Sequence, residues 1–218
     1  MARFESWLCA FLRGEGVREP FRDLGGDVSR FIAVARYHGV LPLLDERLKH
    51  LERDLGLPPA LVEACRSDAA THRILEFARR AELPRVLDAL AGAGIKPLLL
   101  KGGAIGETHY SSAALRPVSD IDLLIRRSQK AVAEGVLRRL GYAERDGAAG
   151  EYVSYQATWA RKDNVEVSHA LDIHWRISNS QILAGLLEYD ELEPRAVKLP
   201  RLGANGYGLA PPDALLFA

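Results

Sequence analysis

One change of texture constrains the fold of this chain more than any other feature. Up to about residue 95, apolar residues recur at helical spacing with no alternating segment. From Lys96 onward, short apolar and alternating runs appear, bounded by glycine and proline. The first pattern buries one stripe of each helix and the second buries the faces of a sheet. A helical block followed by a strand-helix-strand-helix-strand-strand run predicts an α+β fold. The expected organisation is a helical N-terminal domain over residues 1–82 and a sheet-bearing domain over 83–218.

In the helical part, Asp27 or Ser29 caps a helix that stops at Gly39, and Pro42 sits in the first turn of a second helix reaching about Leu51. Residues 58–95 read as two or three further helices. Pro58 and Pro59 stand at a start, Pro84 kinks or restarts one, and Gly92 with Gly94 ends it. In the second part, "KPLLLKGG" reads as a buried strand, "AIGETHYSS" as a short helix and "VSDIDLLI" as a second strand. "SQKAVAEGVLRRLGY" reads as an amphipathic helix capped by Ser128 and stopped at Gly141. Two long strands then meet around a turn at Asp163-Asn164, and beyond Trp175 the reading is helix and loop. "APPDALLFA" reads as a helix start with Asp213 near the cap, so a longer protein is expected to continue from it.

Composition narrows the partners. Apolar residues make up 48% and charged residues 27%, the balance of a soluble globular protein. The 29 basic and 29 acidic residues cancel, so no global basic field favours a long nucleic acid. Cys9 and Cys65 form neither a disulfide framework nor a zinc knuckle, which suits a reducing, cytoplasmic setting. The N-terminal apolar patch is interrupted by Glu5, Arg13 and Glu15 and lacks the order of a signal peptide. No segment approaches the roughly 18 to 20 apolar residues that span a bilayer, so no membrane partner is expected.

The chemistry centres on Asp120-Ile121-Asp122. Side chains alternate along a strand, so the two carboxylates share a face while Ile121 and Leu123 point toward the core. Carboxylates so close repel one another, and a divalent cation relieves that repulsion. Oxygen ligands suit magnesium, which also binds substrate phosphates. By that logic, Asp122→Asn is expected to leave stability without metal level or higher. D-x-D alone better describes two strand-edge acids in solvent; its neighbours shift the balance. Gly102 and Gly103 allow backbone amides to approach a phosphate, and Lys101 supplies a cation, although a tight turn with a surface lysine would look the same. Asp172 and His174 share one face of a later strand, with Ile173 and Trp175 on the other. His169 falls on the face opposite His174, which argues against a shared zinc; His174 reads as a hydrogen-bond or packing partner beside the site. Arg126, Arg127 and Lys130 read first as a solvated helix start, and Tyr152, Tyr155 and Trp159 as packing residues.

"LLLKGGAIGETHY", "LRPVSDIDLLI" and "LDIHW" resemble the uncharacterised nucleotidyltransferase family of bacteria and archaea, within the DNA-polymerase-β-like superfamily. So do "FIAVARYHGVLPLL" and "LPRVLDALAGAGIKPLLLKG". The likeness covers roughly residues 30 to 218. It implies a polymerase-β-like core, a mixed sheet with flanking helices, and a further helical region beyond this chain's last residue. It also implies transfer of a nucleoside monophosphate from a nucleoside triphosphate such as ATP to a hydroxyl or phosphate acceptor, releasing pyrophosphate. Two magnesium ions would be held by Asp120, Asp122 and Asp172, with Asp172 nearer the acceptor hydroxyl and able to help deprotonate it. Gly102 and Gly103, with Lys101, would contact the leaving phosphates. Arg116 would reach a phosphate or brace its loop against Asp120. The acceptor could be a small molecule, a peptide or RNA. Two alternatives stand beside this reading: an idle nucleotide- or protein-binding module, and a toxin-type enzyme acting on transfer RNA ends.

Overall fold

A computed structural model of the chain describes residues 2–15, 21, 27–50, 55–145, 155–162, 167–180 and 184–216. Among them are eight α-helices and seven strands, so the chain is α+β. It divides into two compact units, Met1–Leu75 with Ser111–Pro117, and Glu76–Tyr110 with Val118–Ala218.

The first unit is helical. It contains α1 (Ala2–Arg13), α2 (Val28–Tyr37), α3 (Leu41–Lys49) and the first half of α4 (Pro59–Gly92). Asp27 caps α2 by accepting from the Ser29 amide at 2.8 Å, and Pro42 occupies the first turn of α3, where its missing N–H costs nothing. Trp7 and Phe11 stack at 5.1 Å between centroids, and Phe21 meets Phe31 edge-on at 5.0 Å. Leu41, Leu44, Leu61 and Cys65 complete this core.

Where several helices were expected over residues 58–95, one 34-residue helix forms. Pro84 lies inside it, so the proline removes a single backbone donor without ending the helix. Leu83, Val86, Leu87 and Leu90 flank it and are all buried, and their packing outweighs the local cost. The expected domain boundary between residues 82 and 83 falls within α4. Gly94 at φ +76° provides the left-handed turn that closes the helix, with Ile95 N–H on the Leu90 carbonyl at 3.0 Å.

The second unit is built on a mixed sheet ordered β3-β4-β5-β2-β1-β7-β6. Its strands are β1 (Leu98–Leu99), β2 (Ile121–Leu124), β3 (Ala143–Glu144), β4 (Gln156–Lys162), β5 (Ser168–His174), β6 (Val197–Lys198) and β7 (Tyr207–Gly208). Beyond Trp175 the chain therefore adds two short strands where helix and loop were expected. β7 runs parallel to β1, pairing Gly208 with Leu99. The helices of this unit are the rest of α4, α5 (Lys101–His109), α6 (Lys130–Arg139), α7 (Tyr189–Leu192) and α8 (Pro211–Leu216). Ser128 does not cap α6; it sits in a 3₁₀ turn, Arg127–Gln129, that leads into it. β4 and β5 pair antiparallel out to Lys162↔Ser168, and the turn expected at Asp163-Asn164 lies outside the described residues.

Alternation divides the sheet's two faces. Ile121, Leu123, Leu171, Ile173 and Trp159 join Leu83, Leu87 and Leu90 of α4 and Val136 and Leu137 of α6 in one core. Leu98, Leu100 and Leu124 face the other way, toward Ile177, Tyr189, Leu192 and Leu209. Each such buried side chain contributes about 1.5–3 kcal/mol, so slipping β2 by one residue would expose several at once. That register also sends Asp122 to the second face. Among the described residues no helix is long and apolar enough to cross a membrane.

Candidate metal and nucleotide site

β2 and β5 lie parallel and adjacent, with Asp122 directly opposite Asp172 and Leu124 opposite His174. Asp122, Asp172 and His174 therefore project from one face. Each offers a ligand atom, and the three atoms lie within 4.8 Å of one another. All three side chains are buried. Their alternate neighbours on the strands belong to the opposite core, which makes this placement rigid.

Asp122 is doubly held through one oxygen. Its Oδ1 accepts from Lys101 Nζ at 2.5 Å and pairs with His174 Nε2 at 2.8 Å. Burial by itself would raise its carboxyl; the bonds from His174 and Lys101, with their charge, outweigh that and hold it below the usual carboxylate range. An ionised carboxylate only accepts, so the proton in that contact sits on His174 Nε2. His174 Nδ1 is buried without a partner. This pairing adds a term that the expectation for Asp122→Asn did not contain: the charge is already compensated by a cation and a donor, which its removal would weaken.

Asp172 differs. Gln156 Nε2 donates to its Oδ2 at 2.6 Å, and Asn179 Nδ2 donates to Gln156 Oε1 at 2.7 Å. Its Oδ1 is buried with no hydrogen-bond partner. A buried, unpartnered carboxylate oxygen next to a second carboxylate is a donor set suited to a divalent cation. On that observation, the residues present fit one.

Asp120 lies one residue before β2, half exposed, and accepts from Ser119 Oγ at 3.2 Å. It is outside the three-residue group. Lys101, Gly102 and Gly103 form the first turn of α5, where a turn preceding the helix was expected. Leu100 at the N-cap makes no side-chain capping bond. A Cβ built on Gly103 would meet Leu99 Cδ2 at 3.4 Å and Ile121 Cδ1 at 3.5 Å, so α5 packs closely on β1 and β2. At its other end, Arg201 donates to the carbonyls of Gly106, Glu107 and Tyr110 and pins the helix. Arg116 belongs to the first unit, where its Nη1 donates to the Pro117 carbonyl at 3.1 Å.

Other residues settle simply. His169 is buried on the face of Leu171 and Ile173, away from His174. Arg126 pairs with Asp190 at 2.5 Å, Lys130 lies over the Trp175 ring, and Trp159 is fully buried. Tyr152 lies outside the described residues. Sequence reasoning missed Gln156 and Asn179. The only available signal for Gln156 was alternation, which puts it and Thr158 on the acid-bearing face of β4. Nothing local marks Asn179.

An α+β fold with a helical lead-in, a mixed sheet and such a cluster agrees with the architecture of nucleotidyltransferases. The chain belongs to the uncharacterised nucleotidyltransferase family, whose sequence profile matches residues 25–218. No curated protein and no solved structure matches it. Family membership implies a nucleotide substrate, and nucleotidyltransferases generally use divalent metals.

Proposed function

We propose that the chain transfers a nucleoside monophosphate from a nucleoside triphosphate to a hydroxyl or phosphate acceptor, releasing pyrophosphate, in a reducing cytoplasm. The observation that carries this reading is the register of Asp122 against Asp172, with one Asp172 oxygen buried and unpaired. Cys9 and Cys65, both free, fit the compartment.

In this reading Asp122 and Asp172 hold magnesium, with Asp120 adding an outer carboxylate for a second ion. Bound there, the metal would neutralise phosphate charge and lower the pKa of the attacking group. Gln156, held in turn by Asn179, fixes Asp172 through Oδ2 and leaves Oδ1 for the cation, beside which the acceptor hydroxyl would lose its proton with the help of this carboxylate. His174, almost fully buried and committed to Asp122, anchors that acid. The uncapped first turn of α5 presents amides and a positive dipole end to the leaving phosphates, with Gly102 and Gly103 allowing close approach.

The test is pyrophosphate release with each triphosphate and magnesium, comparing the parent chain with Asp172→Asn. Release that depends on Asp172 supports the reading; equal release by both proteins removes it. A second reading, a nucleotide-binding module without turnover, draws on the ammonium of Lys101 already neutralising Asp122. It predicts nucleotide binding with no pyrophosphate from any triphosphate. Retention on RNA with a steep salt dependence would instead point to a nucleic-acid acceptor.

A further inference from the structure

We infer that Lys101 is a displaceable counter-ion. Its ammonium offsets the Asp122 carboxylate that a divalent cation needs, and it leaves that carboxylate for the phosphates of an incoming nucleoside triphosphate. Cation binding is thereby made to depend on nucleotide. This rests on the reading of Asp122 as a cation ligand.

The first support is occupancy. Asp122 Oδ1 takes both Lys101 Nζ at 2.5 Å and His174 Nε2 at 2.8 Å, which uses its two lone pairs. A cation that bridges from this oxygen to the unpaired Asp172 Oδ1 competes with one of these donors, and one that uses Asp122 Oδ2 meets a carboxylate whose charge the ammonium already offsets. The two donors are not equally free to go. The His174 side chain is 2% exposed, inside the sheet face, whereas the Lys101 side chain is 41% exposed on a flexible stem. An ammonium beside a divalent cation on one oxygen is also repelled by it, so Lys101 is the donor that leaves.

Backbone geometry gives the second support. Lys101 has φ +45° and is the only non-glycine residue with positive φ among those described. Left-handed backbone disfavours a residue with a Cβ, and two glycines follow immediately. A glycine would take this conformation without strain, yet a lysine is held there with its ammonium on the acid. Strain kept at such a place points to use of the side chain.

The third support is the destination. Lys101 opens α5, a nine-residue helix whose N-cap makes no side-chain bond. Phosphates drawn to those first-turn amides arrive beside the ammonium and offer it a more highly charged partner than one carboxylate. While Lys101 holds Asp122, apparent cation affinity is lowered in proportion to the molecules in which that ion pair is formed.

The experiment measures Mn2+ binding by electron paramagnetic resonance on the full chain, with and without a non-hydrolysable triphosphate. Lys101→Met keeps the stem and removes the charge; Lys101→Gln is the second variant should the first not fold. Both are expected to bind Mn2+ alone about tenfold more tightly than the parent, within the usual range of coupling between sites. The same variants should bind the triphosphate more weakly, and the tightening of Mn2+ by nucleotide should shrink. Variants that bind Mn2+ alone no more tightly than the parent overturn the counter-ion role, as does a parent whose Mn2+ affinity is indifferent to nucleotide. Failure of the underlying reading looks different: Asp122→Asn would then bind Mn2+ as the parent does, or no protein would bind it under either condition.

Discussion

Replacing Asp122 by asparagine separates the two jobs this residue holds. The amide keeps an Oδ1 that can still accept from Lys101 and His174, so the geometry survives and the charge is lost. The His174 bond at 2.8 Å becomes a neutral one, and the Lys101 bond at 2.5 Å loses its anionic acceptor while its donor keeps its charge. Charge-assisted bonds contribute about 1.5–3 kcal/mol each and neutral ones about 0.5–1.5, a difference of about 1 kcal/mol or more per bond. The Lys101 share must be discounted, because its side chain is 41% exposed and screened by solvent. The desolvation cost of the buried carboxylate disappears, which returns part of the loss. The net expectation is a loss of about 1–2 kcal/mol without divalent cation, or roughly 2–8 °C in melting temperature for a protein of this size. The assay is thermal melting with and without magnesium, paired with nucleotide transfer. The parent should be stabilised by magnesium and the variant much less, with transfer falling below about a hundredth of the parent rate, since an amide is a far weaker ligand. A variant that melts at or above the parent without cation would show that the Lys101 and His174 contacts do not outweigh the cost of burying the charge, and would refute the reasoning. Parent-like turnover, or a parent-sized magnesium shift, would remove Asp122 from the ligand set.

Asp172→Asn should behave oppositely in stability: with only Gln156 donating to a buried carboxylate, loss of its charge should leave melting level or raise it by up to about 1 kcal/mol while turnover is lost. A clear drop in melting temperature would mark a partner that has gone unrecognised. Glu82 is buried and accepts from Arg85 at 2.6 Å, Arg161 at 2.8 Å and Tyr142 at 2.8 Å, so Glu82→Ala should cost about 1–3 kcal/mol in a denaturant titration, chiefly by leaving the buried Tyr142 hydroxyl and the half-buried Arg161 without their acceptor, while the more exposed Arg85 is screened by solvent. Burial would raise the Glu82 carboxyl, but bonds from Arg85 and Tyr142 and the charge of Arg161 hold it below the usual range. Its folded pKa is depressed, so its contribution is fully present above the unfolded value near 4.3 and fades as pH falls through the lower folded value. Stability of the parent should fall across that acid window more steeply than that of Glu82→Ala, and parallel profiles would refute the assignment. Gly206→Ala should destabilise by about 1–3 kcal/mol, because its Cβ would lie 2.7 Å from the Leu199 carbonyl oxygen; Gly103→Ala meets only ordinary contacts and should melt within about 1 kcal/mol of the parent. Equal melting of the two glycine variants would contradict that reading.

Much of this protein was already determined by its sequence, because the determinants are local and periodic. Helical spacing in residues 28–49 marks α2 and α3, and Asp27, Pro42 and Gly39 mark their ends by chemistry that acts within a few residues. Strand alternation alone puts Asp172 and His174 on one face and His169 on the other, and the family is legible over residues 25–218 of the sequence. Other features were decided only in three dimensions. Pro84 lies in an unbroken helix because Leu83, Val86 and Leu87 are packed from elsewhere in the chain, which no local signal reveals. β6 and β7 are two residues long, too short for any period to show, and exist because β1 offers an edge. The site divides in the same way. That Asp122 stands against Asp172, fifty residues away in sequence, follows from the parallel pairing of β2 with β5. Lys101 and His174 reach the same oxygen of Asp122 only once β1 and β5 have been laid on either side of β2. The sequence sets which face each acid takes, because alternation is a property of one strand; which charges meet across that face is a property of the assembled sheet.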